Sequence, residues 1–251
     1  MVENRSVAAY DVAKRALSYD RNMDIMHPNR HIMADLIVDI LATSKQKLPT
    51  VIDIGSGTGF LLKKLLVRFP ELKIIAIDGA SEMTEVAKVA LGNLAERVDF
   101  RIGSFQNIGE ICTDLNAVDG IVSLLSLHHL DVPEKSQVLK MANKLMTPGS
   151  WFLNGDLVCS EDDFLEDITQ KLRINGILKR GQNIDPRFSE YDKIRTMIDE
   201  LEENEGDKPQ KLATDLKLLE NSGFIHNSIF WKETREALWG GIKTDTHSKI
   251  F

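Results

Sequence analysis

Residues 51–60, which read VIDIGSGTGF, constrain the fold more than any other part of the sequence. An apolar segment with β-branched residues leads into a turn with three glycines, and LLKKLL at 61–66 has the pattern of a helix. Glycines let a ligand approach the backbone closely, and the N–H groups that open the helix then face that ligand. The segment predicts a strand, turn and helix that bind a nucleotide-like cofactor, with an ordinary strand-to-helix turn as the alternative.

The composition is that of a globular chain: 43% of its 251 residues are hydrophobic and 27% are charged. It has no apolar segment of membrane-spanning length and no signal region, so we expect a cytoplasmic protein without a membrane partner. The net charge of −7 argues against nucleic acid as a partner. Cys112 and Cys159 have no metal or redox spacing, and no metal is expected. The oligomeric state stays open, a homodimer included.

Strand and helix patterns alternate from Thr50 onward and divide the chain into four segments. Residues 1–48 are predicted to form an N-terminal helical cap, 49–159 the cofactor-binding core and 160–208 a helical insertion. Residues 209–251 add a closing helix and two strands to the same sheet. Repeated βα units predict an α/β fold with a Rossmann-like, seven-stranded, mainly parallel sheet. The strands are expected at 51–54, 73–77, 98–102, 120–125, 151–158, 224–231 and 237–242.

Two acidic residues lie near the ends of the first two predicted strands. A carboxylate at Asp53 suits a cationic amino group better than a pyrophosphate, which it would repel. Asp78 can accept hydrogen bonds from both hydroxyls of a ribose. The third glycine falls one place earlier than in the dinucleotide pattern, and no Gly-Lys-Ser/Thr follows as in a P-loop. An amino group and a ribose on either side of a glycine turn describe S-adenosylmethionine.

These motifs resemble those of the class I S-adenosylmethionine-dependent methyltransferases. The matching segments are DIGSGTG at 53–59, DGASEM at 78–83, DGIVS at 119–123, LHHL at 127–130, LMTPGS at 145–150 and SGF at 222–224. The resemblance is close over about residues 50–158 and looser over 210–245. It implies the family's fold, S-adenosyl-L-methionine as the cofactor and methyl transfer as the activity.

The resemblance also implies which residues bind the cofactor. Gly103-Ser104 departs from the family's usual Gly-Asp pair, which leaves Ser104 and the Phe105 backbone to contact the adenine. The residues carried over are Asp53, Gly55, Ser56 and Gly57 for the methionine end, Asp78 for the ribose, Gly79 and Met83 for the adenine, and Leu124 for the region of the methyl group.

His129 and His128 follow the fourth predicted strand and are the predicted catalytic residues. A neutral imidazole can accept the proton of an oxygen or nitrogen acceptor. The alternative is that both rings form part of the pocket wall. Asp156, at the end of the fifth strand, is either a substrate-binding residue or an acid that caps a helix.

The acceptor depends on segments outside the motif core. Tyr19, His27 and Arg30 of the cap are predicted to contact the substrate, with an ordinary surface location as the alternative. The cap and the insertion are expected to enclose a pocket at the carboxyl edge of the sheet, which favours a small-molecule acceptor methylated by direct displacement. LEENEGD at 201–207 is interpreted as a solvated helix end and turn.

Two other functions stay open. The layout also resembles bacterial enzymes that modify a tRNA wobble uridine with S-adenosylmethionine or a derivative. The residues that could form a local basic patch for tRNA are Lys171, Arg173, Lys179, Arg180 and Arg187. The third hypothesis is a protein that binds S-adenosylmethionine without transferring its methyl group.

Overall fold

A seven-stranded sheet runs through the computed structural model, which describes residues 5–44, 48–115 and 117–244. The strands are β1 (Thr50–Ile54), β2 (Lys73–Asp78), β3 (Val98–Ile102), β4 (Val118–Leu124), β5 (Met146–Leu157), β6 (Phe224–Glu233) and β7 (Glu236–Lys243). Their order across the sheet is β3-β2-β1-β4-β5-β7-β6. Only β7, among these strands, pairs antiparallel with both neighbours. The predicted α/β fold with a mainly parallel sheet is confirmed.

Helices cover both faces of this sheet. They are α1 (Arg5–Tyr10), α2 (Ala13–Met26), α3 (Arg30–Ala42), α4 (Phe60–Arg68), α5 (Ser81–Leu91), α6 (Ile108–Ile111), α7 (Val132–Leu145), α8 (Asp163–Gly181), α9 (Tyr191–Glu205) and α10 (Leu212–Asn221). Among the helices of the described ranges, none combines the length and apolar character that a membrane span needs.

The alternation of side chains along β1 explains why its sequence is apolar on both faces. Ile52 and Ile54 pack in a core with residues of α7 and α10, whereas Val51 packs with residues of α3 and α4. A strand that is buried on both sides cannot alternate polar and apolar residues. The glycine turn therefore follows a strand that is fixed between two layers of helices.

One local prediction is wrong, and one helix start depends on a contact with a distant residue. The fifth strand begins at Met146, not at 151, because Met146 pairs with Val118 before an irregularity and the ladder resumes at Trp151. The start of α5 is capped by a distant residue: Asp11 accepts hydrogen bonds from the Ser81 hydroxyl at 3.0 Å and from the Glu82 N–H at 2.9 Å. A short-range pattern could not indicate that contact.

The cap and the insertion pack against each other. Ile25 of α2 lies in one buried cluster with Ile174, Ile177, Phe188 and residues of α9. Helix α1 also contacts α9. The two segments thus form a joint cover, while the division of the chain into four segments stays a prediction. Residues 1–4, 45–47, 116 and 245–251 of those segments lie outside the described residues.

A buried ion pair joins α7 to α10. Lys135 Nζ lies 2.8 Å from Asp215 Oδ1, and both side chains are fully buried. Lys135→Met should cost about 3–5 kcal/mol of the free energy of unfolding in urea, because it leaves a buried carboxylate without its partner. The double variant Lys135→Met/Asp215→Leu should recover most of that loss. A single variant as stable as the wild type would contradict this role.

Candidate active site

The glycine turn has a backbone conformation that other residues rarely adopt. Gly55 has a φ of +73° and Gly57 a φ of +52°. A Cβ atom on Gly55 would lie 2.1 Å from the Ser126 hydroxyl oxygen, whereas one on Gly57 would meet no atom within 4 Å. Gly55 thus allows a close approach of the chain after β4, and Gly57 faces open space.

That open space is a cavity with an empty volume of about 770 Å³, including solvent at its mouth. This lies within the range of small-molecule and cofactor sites, about 300–1,000 Å³. Ser104 is not in its lining, since its hydroxyl lies 3.1 Å from Gln106 Oε1. The other residues predicted to bind the cofactor all line the cavity: Asp53, Gly55, Ser56, Gly57, Asp78, Gly79, Met83, Phe105 and Leu124.

Asp53 is a buried carboxylate whose two oxygens lack a hydrogen-bond partner among the described residues. Burial raises the pKa of Asp53 to about 8, and the nearby charge of Asp78 adds to the effect. An isolated buried charge is costly, so the site favours a ligand with a cationic group. The amino group of S-adenosylmethionine is such a group, and the residues present fit this cofactor.

Asp78 connects the glycine turn to the end of β2. Its Oδ2 accepts a hydrogen bond of 2.7 Å from the Gly57 N–H, and its Oδ1 accepts one of 2.8 Å from the Ala80 N–H. Burial raises the pKa of Asp78, and these two backbone donors oppose the rise. Each carboxylate oxygen has a second lone pair, so both can still accept a ribose hydroxyl.

A second cavity, with an empty volume of about 1310 Å³ including open solvent, adjoins the first. Its walls come from α1 and α2, from the chain after β4, from the end of β5 and from the insertion. Its lining combines apolar residues, such as Leu157 and Phe188, with charged residues, such as Arg173 and Glu202. Four residues line both cavities: Tyr10, Tyr19, Met23 and Leu125. A molecule in the second cavity would therefore lie next to a cofactor in the first.

The two histidines after β4 lie on different sides of this junction. His128 lines the second cavity, and its Nδ1 is 2.6 Å from Asp156 Oδ1. Burial lowers the pKa of His128, but the carboxylates of Asp156 and Asp207 outweigh burial and hold that pKa above its usual value. His129 lines the first cavity, and burial together with the charge of His128 lowers its pKa.

The structure separates the four residues predicted to bind substrate. Tyr19 lines both cavities and His27 lines the second, where its Nδ1 lies 2.7 Å from Glu236 Oε1. Asp156 is fully buried behind His128 and lines neither cavity.

Arg30 lines the first cavity, but its guanidinium is held by protein groups. Its Nη1 and Nη2 each lie 2.8 Å from a carboxylate, of Asp20 and Asp24 respectively. The guanidinium also lies 4.1 Å from the centre of the Phe60 ring. The Thr58 hydroxyl donates to Asp20 at 3.0 Å, so Arg30 helps to fasten the cap to the glycine turn.

Residues of the insertion contribute to the site in a way that the sequence did not indicate. Glu205 and Asp207 line the second cavity, and both of their side chains are largely buried. The prediction of a solvated helix end at 201–207 is therefore wrong for these two residues. Gly206, with a φ of +70°, turns the chain at this point. In the sequence, the Gly-Asp pair after an acidic helix was the one feature that could have indicated such a turn.

Residues 51–149 match a protein-family model described as a methyltransferase domain. A malonyl-(acyl-carrier protein) O-methyltransferase of Acetivibrio thermocellus is 24% identical over 168 residues, which are 58% of this chain and 59% of that protein. An uncharacterized methyltransferase of Oceanobacillus iheyensis is 25% identical over 66% of this chain and 72% of that protein.

The crystal structure of human N-acetylserotonin methyltransferase in complex with SAM has the same fold, with a TM-score of 0.62 and 20% identity. The match covers 98% of this chain and 60% of the human one. The chain thus spans about three fifths of the length of the Acetivibrio and human proteins.

Asp53→Asn should weaken cofactor binding and remove its proton linkage. At a pH of about 6.5, below the pKa of Asp53, that carboxyl is protonated, so binding a cationic amino group should release about one proton. Calorimetry in buffers of different ionisation enthalpy measures this release. The wild type should release the proton and Asp53→Asn should not. Equal proton release by the two proteins would contradict the assignment of Asp53.

Asp78→Ala should weaken S-adenosylmethionine binding by about 1–3 kcal/mol, the cost of hydrogen bonds to a charged group. Asp99→Ala is the matched control, because Asp99 is an exposed acid on the neighbouring strand β3. Calorimetric titration measures both affinities. If the affinity of Asp78→Ala equalled that of the control, Asp78 would not bind the ribose.

Proposed function

The chain belongs to the class I S-adenosylmethionine-dependent methyltransferases, with S-adenosylmethionine as cosubstrate, and from that premise we propose that it methylates a small-molecule acceptor. The observation that supports this proposal is the second cavity. It shares a wall with the first cavity and lies beneath the joint cover of cap and insertion. A site of this form suits a molecule that is enclosed during the reaction.

The chemistry requires alignment more than it requires a reactive side chain. The cofactor supplies an electrophilic methyl group on a sulfonium. The protein must hold the acceptor in line with that methyl group and exclude water. Leu125 and Tyr19 border both cavities and would form the walls between which the two reactants meet. Asp53 and Asp78 would fix the cofactor from the opposite side.

The lining of the second cavity describes the acceptor in general terms. The lining includes the apolar residues Met26, Leu157 and Phe188 and the polar residues His128 and Glu202. Such a lining suits a molecule with an apolar body and a polar, reacting end. The catalytic role of His129 or His128 as a base stays a prediction, and of these two residues His129 lines the first cavity.

The alternative of tRNA modification has less support because most of the suggested basic patch is engaged within the protein. Arg173 pairs with Glu202, Arg187 with Asp185 and Lys171 with Asp167. The Arg180 Nε donates to the backbone oxygen of Ile25 at 2.8 Å. Phosphate groups would have to compete with these contacts on a chain with a net charge of −7.

Filling the second cavity should lower methyl transfer and spare cofactor binding. Met197 lines that cavity, so Met197→Trp should lower methyl transfer at least about tenfold, which is about 1.4 kcal/mol of transition-state stabilisation. Leu172→Trp is the control, because Leu172 is exposed on α8 of the same insertion. Transfer is measured with methyl-labelled S-adenosylmethionine and a small-molecule extract, with total tRNA as a separate reaction.

Label in the small molecules that is lost only in Met197→Trp would support the proposal. Label confined to tRNA would contradict it and favour nucleic-acid modification. Cofactor binding without transfer to either fraction would favour the protein that only binds S-adenosylmethionine.

A further inference from the structure

His128, His129 and Asp207 form a cluster at the junction of the two cavities, and we propose that this cluster binds a divalent metal ion. One ligand atom from each residue can be chosen so that all three lie within 4.8 Å of one another. Asp207 Oδ1 is 2.9 Å from His129 Nδ1 and 3.7 Å from His128 Nε2. Two atoms bonded to one ion at about 2.1 Å are about 3.0–3.4 Å apart, so small movements would complete the site.

Buried atoms without hydrogen bonds are the second reason for a ligand here. His129 Nδ1 and Asp207 Oδ1 are close enough for an ion pair, but their geometry is not that of a hydrogen bond, and neither atom has a hydrogen-bond partner in the described ranges. The two side chains are only 8% and 9% exposed. An ion between them would satisfy both atoms at once, whereas the present arrangement leaves them unsatisfied.

A further carboxylate orients His128 as metal sites require. Asp156 Oδ1 lies 2.6 Å from His128 Nδ1 and is itself buried, which favours a proton on Nδ1. The lone pair of Nε2 then faces Asp207. Metal-binding histidines commonly donate their second ring nitrogen to a carboxylate in this way.

The backbone fixes the third ligand beside the other two. The Lys208 N–H donates to the His128 backbone oxygen at 2.7 Å, and the left-handed Gly206 reverses the chain at the end of α9. Asp207 lies between Gly206 and Lys208 in the chain. Its position next to the histidines is therefore set by main-chain geometry and not by a flexible side chain alone.

The local charge suits a cation. Three carboxylates lie near the two imidazoles, those of Asp156, Glu205 and Asp207. Two contacts oppose this negative charge in part: Glu205 accepts a hydrogen bond from Tyr10, and the positive charge of Arg173 acts on Asp207. Imidazole and carboxylate ligands suit zinc, manganese and cobalt.

The position of the site identifies a class of acceptor, a step that rests on the proposed function. His129 borders the first cavity, and His128 and Asp207 border the second, so the ion would lie between donor and acceptor. Three protein ligands leave positions for an acceptor oxygen, whose proton the ion would help to release to solvent. That oxygen would form a bond to the methyl carbon as the carbon–sulfur bond breaks and its electron pair stays on sulfur. The acceptor is thus a hydroxyl or carboxyl compound.

The test uses Co²⁺ alone, added to the chelator-treated protein of 251 residues. We expect one equivalent to bind with visible d–d absorption bands. Asp207→Asn should weaken binding more than about 100-fold, which exceeds the effect of changing a residue that only orients a ligand. Glu203→Gln is the control, because Glu203 is an exposed acid near the end of α9, the helix that precedes Asp207. Unchanged S-adenosylmethionine affinity in Asp207→Asn would show that the variant is folded.

The site is refuted if the wild type binds no stoichiometric Co²⁺ or if Asp207→Asn binds it as well as Glu203→Gln does. Methyl transfer to a small molecule that persists in chelator would also refute the metal's role, and would leave the proposed function intact. Stoichiometric Co²⁺ binding together with methyl transfer only to tRNA would leave the metal site intact and refute the proposed function. The two proposals can therefore fail separately.

Discussion

The buried carboxylate of Asp53 is the constraint on which the rest of the site depends. It lies next to the glycine turn, in a strand enclosed by two layers of helices, and neither of its oxygens has a partner among the described residues. Folding therefore leaves a group whose charged form is strongly disfavoured until a cation arrives. The turn, held to Asp78 by the Gly57 N–H, places that group at one end of the first cavity. A cationic ligand relieves the cost, and the protein thereby selects its cofactor.

The joint cover of cap and insertion connects the two cavities through helix α2. Helix α2 is fastened to the turn through Asp20, which contacts both Thr58 and Arg30, and to the insertion through Ile25. The same helix thus borders the cofactor cavity and the second cavity. This connection explains how segments without a family motif can define the acceptor while the motif core defines the methyl donor.

The sequence was a good guide wherever the determinants are local. The apolar strands, the glycine turn and the two acids beside it follow one another within about thirty residues, so their patterns could be interpreted directly. Contacts between distant segments could not be predicted in this way. Asp11 caps α5, and Asp207 joins His128 and His129 across most of the insertion, because tertiary packing brings them together. Arg30 illustrates the converse, since a predicted substrate ligand has its guanidinium bound by Asp20 and Asp24.

A crystal structure with S-adenosylhomocysteine, the demethylated product of the cofactor, would test the central claim most directly. We expect its amino group within about 3 Å of an Asp53 oxygen. Its ribose should contact Asp78, and its sulfur should face the second cavity. A product whose amino group lies away from Asp53, or whose sulfur is walled off from the second cavity, would contradict both the cofactor site and the proposed position of the acceptor.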